Sequence, residues 1–129
     1  MKILFVEDDR MNRRVVRDML AVAGASMEEA EDGPAGLAMV ETDDYAVVLL
    51  DLRMPGMDGF EVLARIRGRG DAKGQVPIIV VTADTAPDLR ERCLTLGADE
   101  ILFKPVAMDA LFDAMGRILA RDEGGGVIL

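Results

Sequence analysis

Val47-Val48-Leu49-Leu50-Asp51-Leu52-Arg53-Met54-Pro55-Gly56-Met57-Asp58-Gly59 is the stretch around which the chain is organised. Four apolar residues in a row, two of them β-branched, read as a strand covered on both faces. The run stops on a carboxylate, and Pro55, Gly56 and Gly59 make a loop of the residues beyond it. In an open parallel sheet ligands bind beyond the carboxyl ends of the strands. Asp51 would then be close to solvent yet held by a rigid element, as a nucleophile or metal ligand should be. Alternatively it ends a strand and starts a turn, and the choice depends on what the other strands deliver to the same edge.

Toward the N-terminus, Ile3-Leu4-Phe5-Val6 is a shorter apolar run that also ends in acids, Glu7-Asp8-Asp9. The next pattern is helical, with Met11, Val15, Met19, Val16 and Leu20 inward and Arg13, Arg14, Arg17 and Asp18 on the other face. Arg10, Arg13, Arg14 and Arg17 read as a solvated face rather than a partner contact. Asp9 suits the cap of this helix and Gly24 its end. Ser26 to Ala30 is polar enough only for an edge strand, and Asp32-Gly33-Pro34 opens a helix running to about Thr42. Beyond the central strand, Asp58 with Glu61 forms a capping box for a helix with Phe60, Leu63 and Ile66 inward, ending at Gly68-Arg69-Gly70.

Pro77 to Val81 reads as a buried strand ending on Thr82-Ala83-Asp84. Pro87 starts a helix with Leu89, Cys93 and Leu96 on one face, closed by Gly97. Cys93 therefore reads as a small core residue. Asp99 and Glu100 read as surface charge. Ile101 to Phe103 is a strand ending on Lys104-Pro105, and the last helix turns Leu111, Met115, Ile118 and Leu119 inward. A domain over 1–121 is expected, with 122–129 as a Gly-rich apolar tail released by Gly124-Gly125-Gly126. Strand and helix alternate five times, the pattern of an α/β doubly wound parallel sheet with helices on both faces.

Composition narrows the function. A chain of 129 residues, half of them hydrophobic, forms one domain with a substantial core. The net charge of −9, from 15 basic against 24 acidic residues, argues against direct DNA binding. The single cysteine excludes an internal disulfide and suits a reducing compartment. There is no signal peptide pattern and no apolar run approaching the ~20 residues that span a bilayer. The expectation is a cytoplasmic protein without membrane contact.

Strands one, three, four and five end on Glu7-Asp8, Asp51, Thr82 and Lys104. If they are parallel, three carboxylates, a hydroxyl and an ammonium share one pocket. Clustered carboxylates repel unless a cation intervenes, and an all-oxygen set suits Mg²⁺. A phosphoryl group on Asp51 could then be held by Mg²⁺, Lys104, Thr82 and backbone amides, the parts that phosphoryl transfer requires. With no histidine, His-based catalysis and His ligation are excluded. Neither GxxxxGK[S/T] nor GxGxxG occurs, which argues against a P-loop or Rossmann nucleotide site.

On the segments Val6-Glu7-Asp8-Asp9, Leu50 to Gly59, Val81-Thr82-Ala83 and Phe103-Lys104-Pro105, in that order and spacing, the chain resembles the receiver domain of bacterial two-component response regulators. The resemblance spans Lys2 to about Arg121. It implies a flavodoxin-like five-stranded sheet in the order 2-1-3-4-5. It also implies that Asp51 accepts phosphate from a phosphohistidine on a sensor kinase or histidine phosphotransfer protein. Mg²⁺ would be ligated by Asp8, Asp51 and the Arg53 carbonyl, with Glu7 acting through water. Thr82 would move to bond the phosphoryl group, Lys104 would pair with it, and the Lys104–Pro105 peptide is often cis in such domains. Such a protein is a phosphoacceptor that catalyses its own phosphorylation and dephosphorylation, not a conventional enzyme, and it signals through a downstream protein partner. Since no effector domain follows, a stand-alone receiver is expected.

Two positions depart from the pattern. Many receivers carry Tyr or Phe three residues before the lysine, where this chain has Ile101, so no aromatic switch is expected there. The helix after Pro105 lacks a Ser, Thr or Asn cap at Ala107. Two rival functions fit the sequence less well. An aspartyl phosphatase of haloacid dehalogenase type needs a second carboxylate two residues past its nucleophile, and Arg53 stands there. An unphosphorylated interaction module on the same fold usually loses part of the acid set, all of which is present here.

Overall fold

The structure, a computed structural model, describes the backbone of residues 1–127 and the side chains of residues 1–121. Five strands alternate with five helices: β1 (Lys2–Val6), α1 (Arg10–Val22), β2 (Ser26–Ala30), α2 (Gly33–Thr42), β3 (Val47–Asp51), α3 (Gly59–Arg67), β4 (Ile78–Thr82), α4 (Leu89–Thr95), β5 (Glu100–Phe103) and α5 (Met108–Val127). All strand pairs are parallel, in the order β2-β1-β3-β4-β5. The polar strand β2 is an edge, and β3, with its apolar run 47–50, is central, as its composition requires.

Alternate residues of each strand feed two cores. Leu4, Val6, Val48, Leu50, Ile78 and Val80 pack under α2, α3 and α4 through Val40, Leu63, Ile66, Leu89 and Cys93. Ile3, Phe5, Val47, Leu49, Ile79 and Val81 pack under α1 and α5 through Val16, Leu20, Leu111, Met115 and Ile118. A strand buried on both faces has no solvent side, so alternation disappears from its sequence.

The expected cap residues of α1, α2 and α3 are in place, although the Asp58–Glu61 box is only half formed because the Glu61 carboxylate accepts from Arg65. Asp9 Oδ1 accepts from the amides of Met11 and Asn12, Asp32 Oδ1 from that of Ala35, and Asp58 Oδ1 from that of Glu61.

Several expected orientations are corrected. α1 turns Arg13, Val16 and Leu20 to the sheet, leaving Met11 and Val15 67% and 42% exposed. The reason is polar: Arg13, only 7% exposed, lays its stem along the buried row and carries its guanidinium to Glu29 and to the Glu7 carbonyl. Leu96 caps α4 and is exposed, and Phe60 and Leu119 are half-buried. The bounds of α5 extend to Val127, past the glycines expected to release a tail. Each glycine weakens a helix by about 1 kcal/mol without blocking it as proline does. Residues 128 and 129 of the expected tail lie outside the described residues.

Candidate phosphoacceptor site

β1, β3, β4 and β5 bring their carboxyl ends to one edge. In register, Val6 sits beside Leu50, Asp51 beside Val81, and Thr82 beside Phe103. Glu7, Asp51, Thr82 and Lys104 lie at or one residue beyond those ends. One carboxylate oxygen each from Glu7, Asp8 and Asp51 fall within 4.8 Å of one another. The set expected from sequence is thus assembled.

Asp51 is buried, with 2% of its surface exposed, and its Oδ1 accepts the Arg53 amide at 3.2 Å. The chain must double back at once to leave room above it. Gly59 permits this: a Cβ there would collide with the Asp51 carbonyl and the Leu52 Cα, and the Gly59 amide instead donates to the Leu52 carbonyl at 3.0 Å.

Lys104 follows β5 and donates its own amide to the Thr82 carbonyl at 2.8 Å. Its Nζ lies 2.8 Å from Glu7 Oε1 and 3.4 Å from Asp51 Oδ1. The two carboxylates hold the Lys104 ammonium in its charged form more firmly than usual, against the opposing effect of burial. The Lys104–Pro105 peptide bond is cis. Thr82 is fully buried, and its Oγ1 accepts the Asp84 amide at 3.0 Å, leaving the hydroxyl proton free to be donated.

Glu7 has the most unusual environment. Its Oε1 accepts from Lys104 Nζ at 2.8 Å and Asn12 Nδ2 at 2.7 Å. Its Oε2 is buried with no hydrogen-bond partner among the described residues. Burial, reinforced by the neighbouring Asp51 carboxylate, pushes the Glu7 carboxyl up to about 7. An orphaned carboxylate oxygen facing two more acids is expensive unless something positive arrives.

Arg53 carries its guanidinium to the Asp84 carboxylate, so the two loops beyond β3 and β4 are bridged at the rim. The Ala86 amide and Arg53 hold the Asp84 carboxyl below its usual range. Arg53 occupies the place where a dehalogenase-type phosphatase has its acid, and it points to a partner loop. Ile101 is buried in the core beside Leu89 and Cys93, and Phe103 stands exposed at the surface, so no buried ring lies on β5.

Sequence reasoning overlooks Asn12 and Arg13. Asn12 is a polar residue in the first turn of a helix that begins just after an acidic strand end, and that placement is the available signal. The reading of Asp99 as surface charge is also overturned. Its Oδ2 accepts from the Ile78 amide at 2.8 Å and from Arg67 Nη2 at 3.0 Å. Glu100 pairs with Arg117 and Arg121, tying β5 to α5.

A parallel sheet that gathers three acids, a threonine and a lysine at its carboxyl edge defines a class, and comparison with known proteins agrees. The family model for the response regulator receiver domain matches residues 3–116, and the chain belongs to that family. The chain is 39% identical to the response regulator MprA of Mycolicibacterium vanbaalenii over 128 residues, covering 97% of this chain and 54% of that protein. The MprA of Mycobacterium tuberculosis is 40% identical over 120 residues, covering 93% of this chain and 51% of that protein. The chain therefore spans about half the length of these curated relatives. Among solved structures, the chemotaxis protein CheY4 of Vibrio cholerae superposes with a TM-score of 0.83 at 30% identity, covering 91% of this chain and 97% of that one. The receiver domain of the sensor histidine kinase PA1611 of Pseudomonas aeruginosa gives a TM-score of 0.83 at 32% identity, covering 92% and 97%. That structure holds a magnesium ion coordinated in its active site cleft.

Proposed function

We propose that this receiver takes a phosphoryl group onto Asp51 from a phosphohistidine of a sensor kinase or phosphotransfer protein, and that a downstream protein partner reads the result. The observation that carries this reading is the buried, unpartnered Glu7 Oε2 within a cluster of three acids that has Lys104 as its close ammonium.

That cluster suits Mg²⁺: it is all oxygen, crowded and short of positive charge. Asp8, Asp51 and the Arg53 carbonyl would hold the ion, with Glu7 acting through water. When bound, Mg²⁺ neutralises charge on the transferring phosphoryl oxygens.

The rest is the work of the chain. An Asp51 carboxylate oxygen attacks phosphorus, the new P–O bond forming as the P–N bond to the donor imidazole breaks. The Arg53 amide, already 3.2 Å from Oδ1, keeps the carboxylate oriented. Lys104 offsets the charge, and the Thr82 hydroxyl donates to a phosphoryl oxygen after its turn with Asp84 loosens. Hydrolysis of the acyl phosphate by the same site resets it. Val15, exposed on α1 and lining a cavity with Lys104 and Pro105, and Met11, exposed one turn before it, offer an apolar landing for the phosphodonor. The lone, buried thiol of Cys93 fits a cytoplasmic setting, and the charge of −9 fits a protein partner better than direct contact with DNA.

Incubation with acetyl phosphate and Mg²⁺ should add one phosphate by intact mass, lost in Asp51→Asn and in EDTA. Labelling that survives Asp51→Asn would overturn the assignment. Phosphotransfer profiling against the kinases of the same cell would then identify the donor.

A further inference from the structure

Glu7 is gripped at both ends from the first turn of α1. Arg13 Nη1 donates to its backbone carbonyl at 2.7 Å, and Arg13 is itself oriented by Glu29 on β2 at 2.8 Å. Asn12 Nδ2 donates to its side-chain Oε1 at 2.7 Å. Asn12 is fixed in turn, because Asp9 Oδ1 accepts its backbone amide at 3.2 Å while capping the helix. Contacts therefore run from the cap residue through Asn12 to the carboxylate that leaves Oε2 unpaired.

We propose that Asn12 is a positioning residue for the cation site: it pins Glu7 Oε1 so that Oε2 is the oxygen presented to Mg²⁺ and its water. This rests on the Mg²⁺ reading above. Oε1 has two donors, Asn12 and Lys104, and they differ in what they bring. Lys104 supplies charge and must be free to turn to a phosphoryl group on Asp51. An amide supplies a directed hydrogen bond without charge, so it orients Glu7 without cancelling the attraction of the cluster for a cation. When Lys104 turns away, Asn12 still holds Oε1. Without Asn12 the carboxylate is free to rotate about its terminal bond, and Lys104 alone has to serve both Glu7 and the phosphoryl group.

The test is calorimetric titration with MgCl₂ alone, since the chain has no tryptophan to report binding. Asn12→Leu keeps the branched shape and removes the donor; Asn12→Ala removes the whole amide. Both should weaken Mg²⁺ affinity about tenfold, the size expected for a residue that orients a metal-site ligand. In a Glu7→Ala background, where Asn12 has nothing to orient, the same substitutions should leave the remaining affinity unchanged. An equal loss in that background would show that Asn12 acts on the fold and not through Glu7, and would overturn the proposal. So would unchanged affinity in both single variants. A wild-type protein that binds no Mg²⁺ would remove the underlying reading, and the wild-type titration separates that result from a failure of the Asn12 proposal alone.

Discussion

The two edges of the sheet treat buried charge in opposite ways. At the carboxyl edge, Glu7, Asp8 and Asp51 crowd together, Lys104 pairs with Glu7 and Asp51 alone, and Glu7 Oε2 is left without a partner among the described residues. At the amino edge, Arg67 closes α3 with its guanidinium engaged at every nitrogen. Nε donates to the Gly97 carbonyl at 2.8 Å, Nη1 to the carbonyls of Gly74 and Val76 at 2.8 and 2.7 Å, and Nη2 to Asp99 at 3.0 Å. Gly97 has φ of +105° and lies against the Arg67 stem, where a Cβ would come within 2.9 Å of Cγ. Asp99 also closes the gap between β4 and β5, accepting the Ile78 amide and donating its own to the Ile78 carbonyl at 2.9 Å. One edge is satisfied and serves the fold; the other is left unsatisfied, as the proposed cation site requires. Polar groups left unpaired in a native interior point to function for this reason.

The largest test of this contrast is at the amino edge. Arg67→Ala should remove the guanidinium donor from three carbonyls and leave the Asp99 carboxylate with the Ile78 amide but no cation, at a cost of about 3 kcal/mol or more by urea unfolding. A loss well below that would mean the amino edge is no better satisfied than the site.

At the carboxyl edge the sign should reverse. Asp51→Asn relieves repulsion, so the metal-free protein should gain about 1 kcal/mol, or a few degrees in melting temperature. A lower melting temperature would show that the acids are not in conflict. In wild type, Mg²⁺ at about ten times its Kd should add about 1.4 kcal/mol by binding only the folded state.

The rim pair sharpens the comparison through a rate. Arg53 and Asp84 bridge the loops beyond β3 and β4, and a bridge there is expected to obstruct the water that hydrolyses an acyl phosphate on Asp51. Asp84→Ala should speed loss of phosphate about fivefold, with Mg²⁺ affinity unchanged. An unaltered half-life of the phosphoprotein would leave the pair a surface contact.

The last test is of pH dependence. Burial and Asp51 push the Glu7 carboxyl up to about 7 from an ordinary 4.5, so between those values the folded chain holds a proton that the unfolded chain has lost. The contribution of Glu7 to the stability of the metal-free protein should then be greatest below that window and be lost as pH rises through it. Urea midpoints at about pH 5 and about pH 7.5 should differ in that direction, and Glu7→Gln should flatten the difference.

Much of the site was legible from one dimension. Parallel strands joined by helices all end at the same edge, so residues that close apolar runs become neighbours however far apart in sequence. Glu7, Asp51, Thr82 and Lys104 could be placed together on that argument, and the apolar run at 47–50 marked a strand buried on both faces. The rotation of α1 could not be read this way. Met11 and Val15 are as apolar as Val16 and Leu20, and periodicity alone cannot tell that an arginine takes the inner row. Arg13 does so because two acceptors, the Glu7 carbonyl and Glu29 on a neighbouring strand, await it only once β1 and β2 have paired. The same holds for Asp99, whose partners Ile78 and Arg67 come from elements joined to it only by the fold. Hydrophobic pattern reports which residues leave water. Which polar groups meet depends on helix rotation and strand register, and tertiary packing sets both.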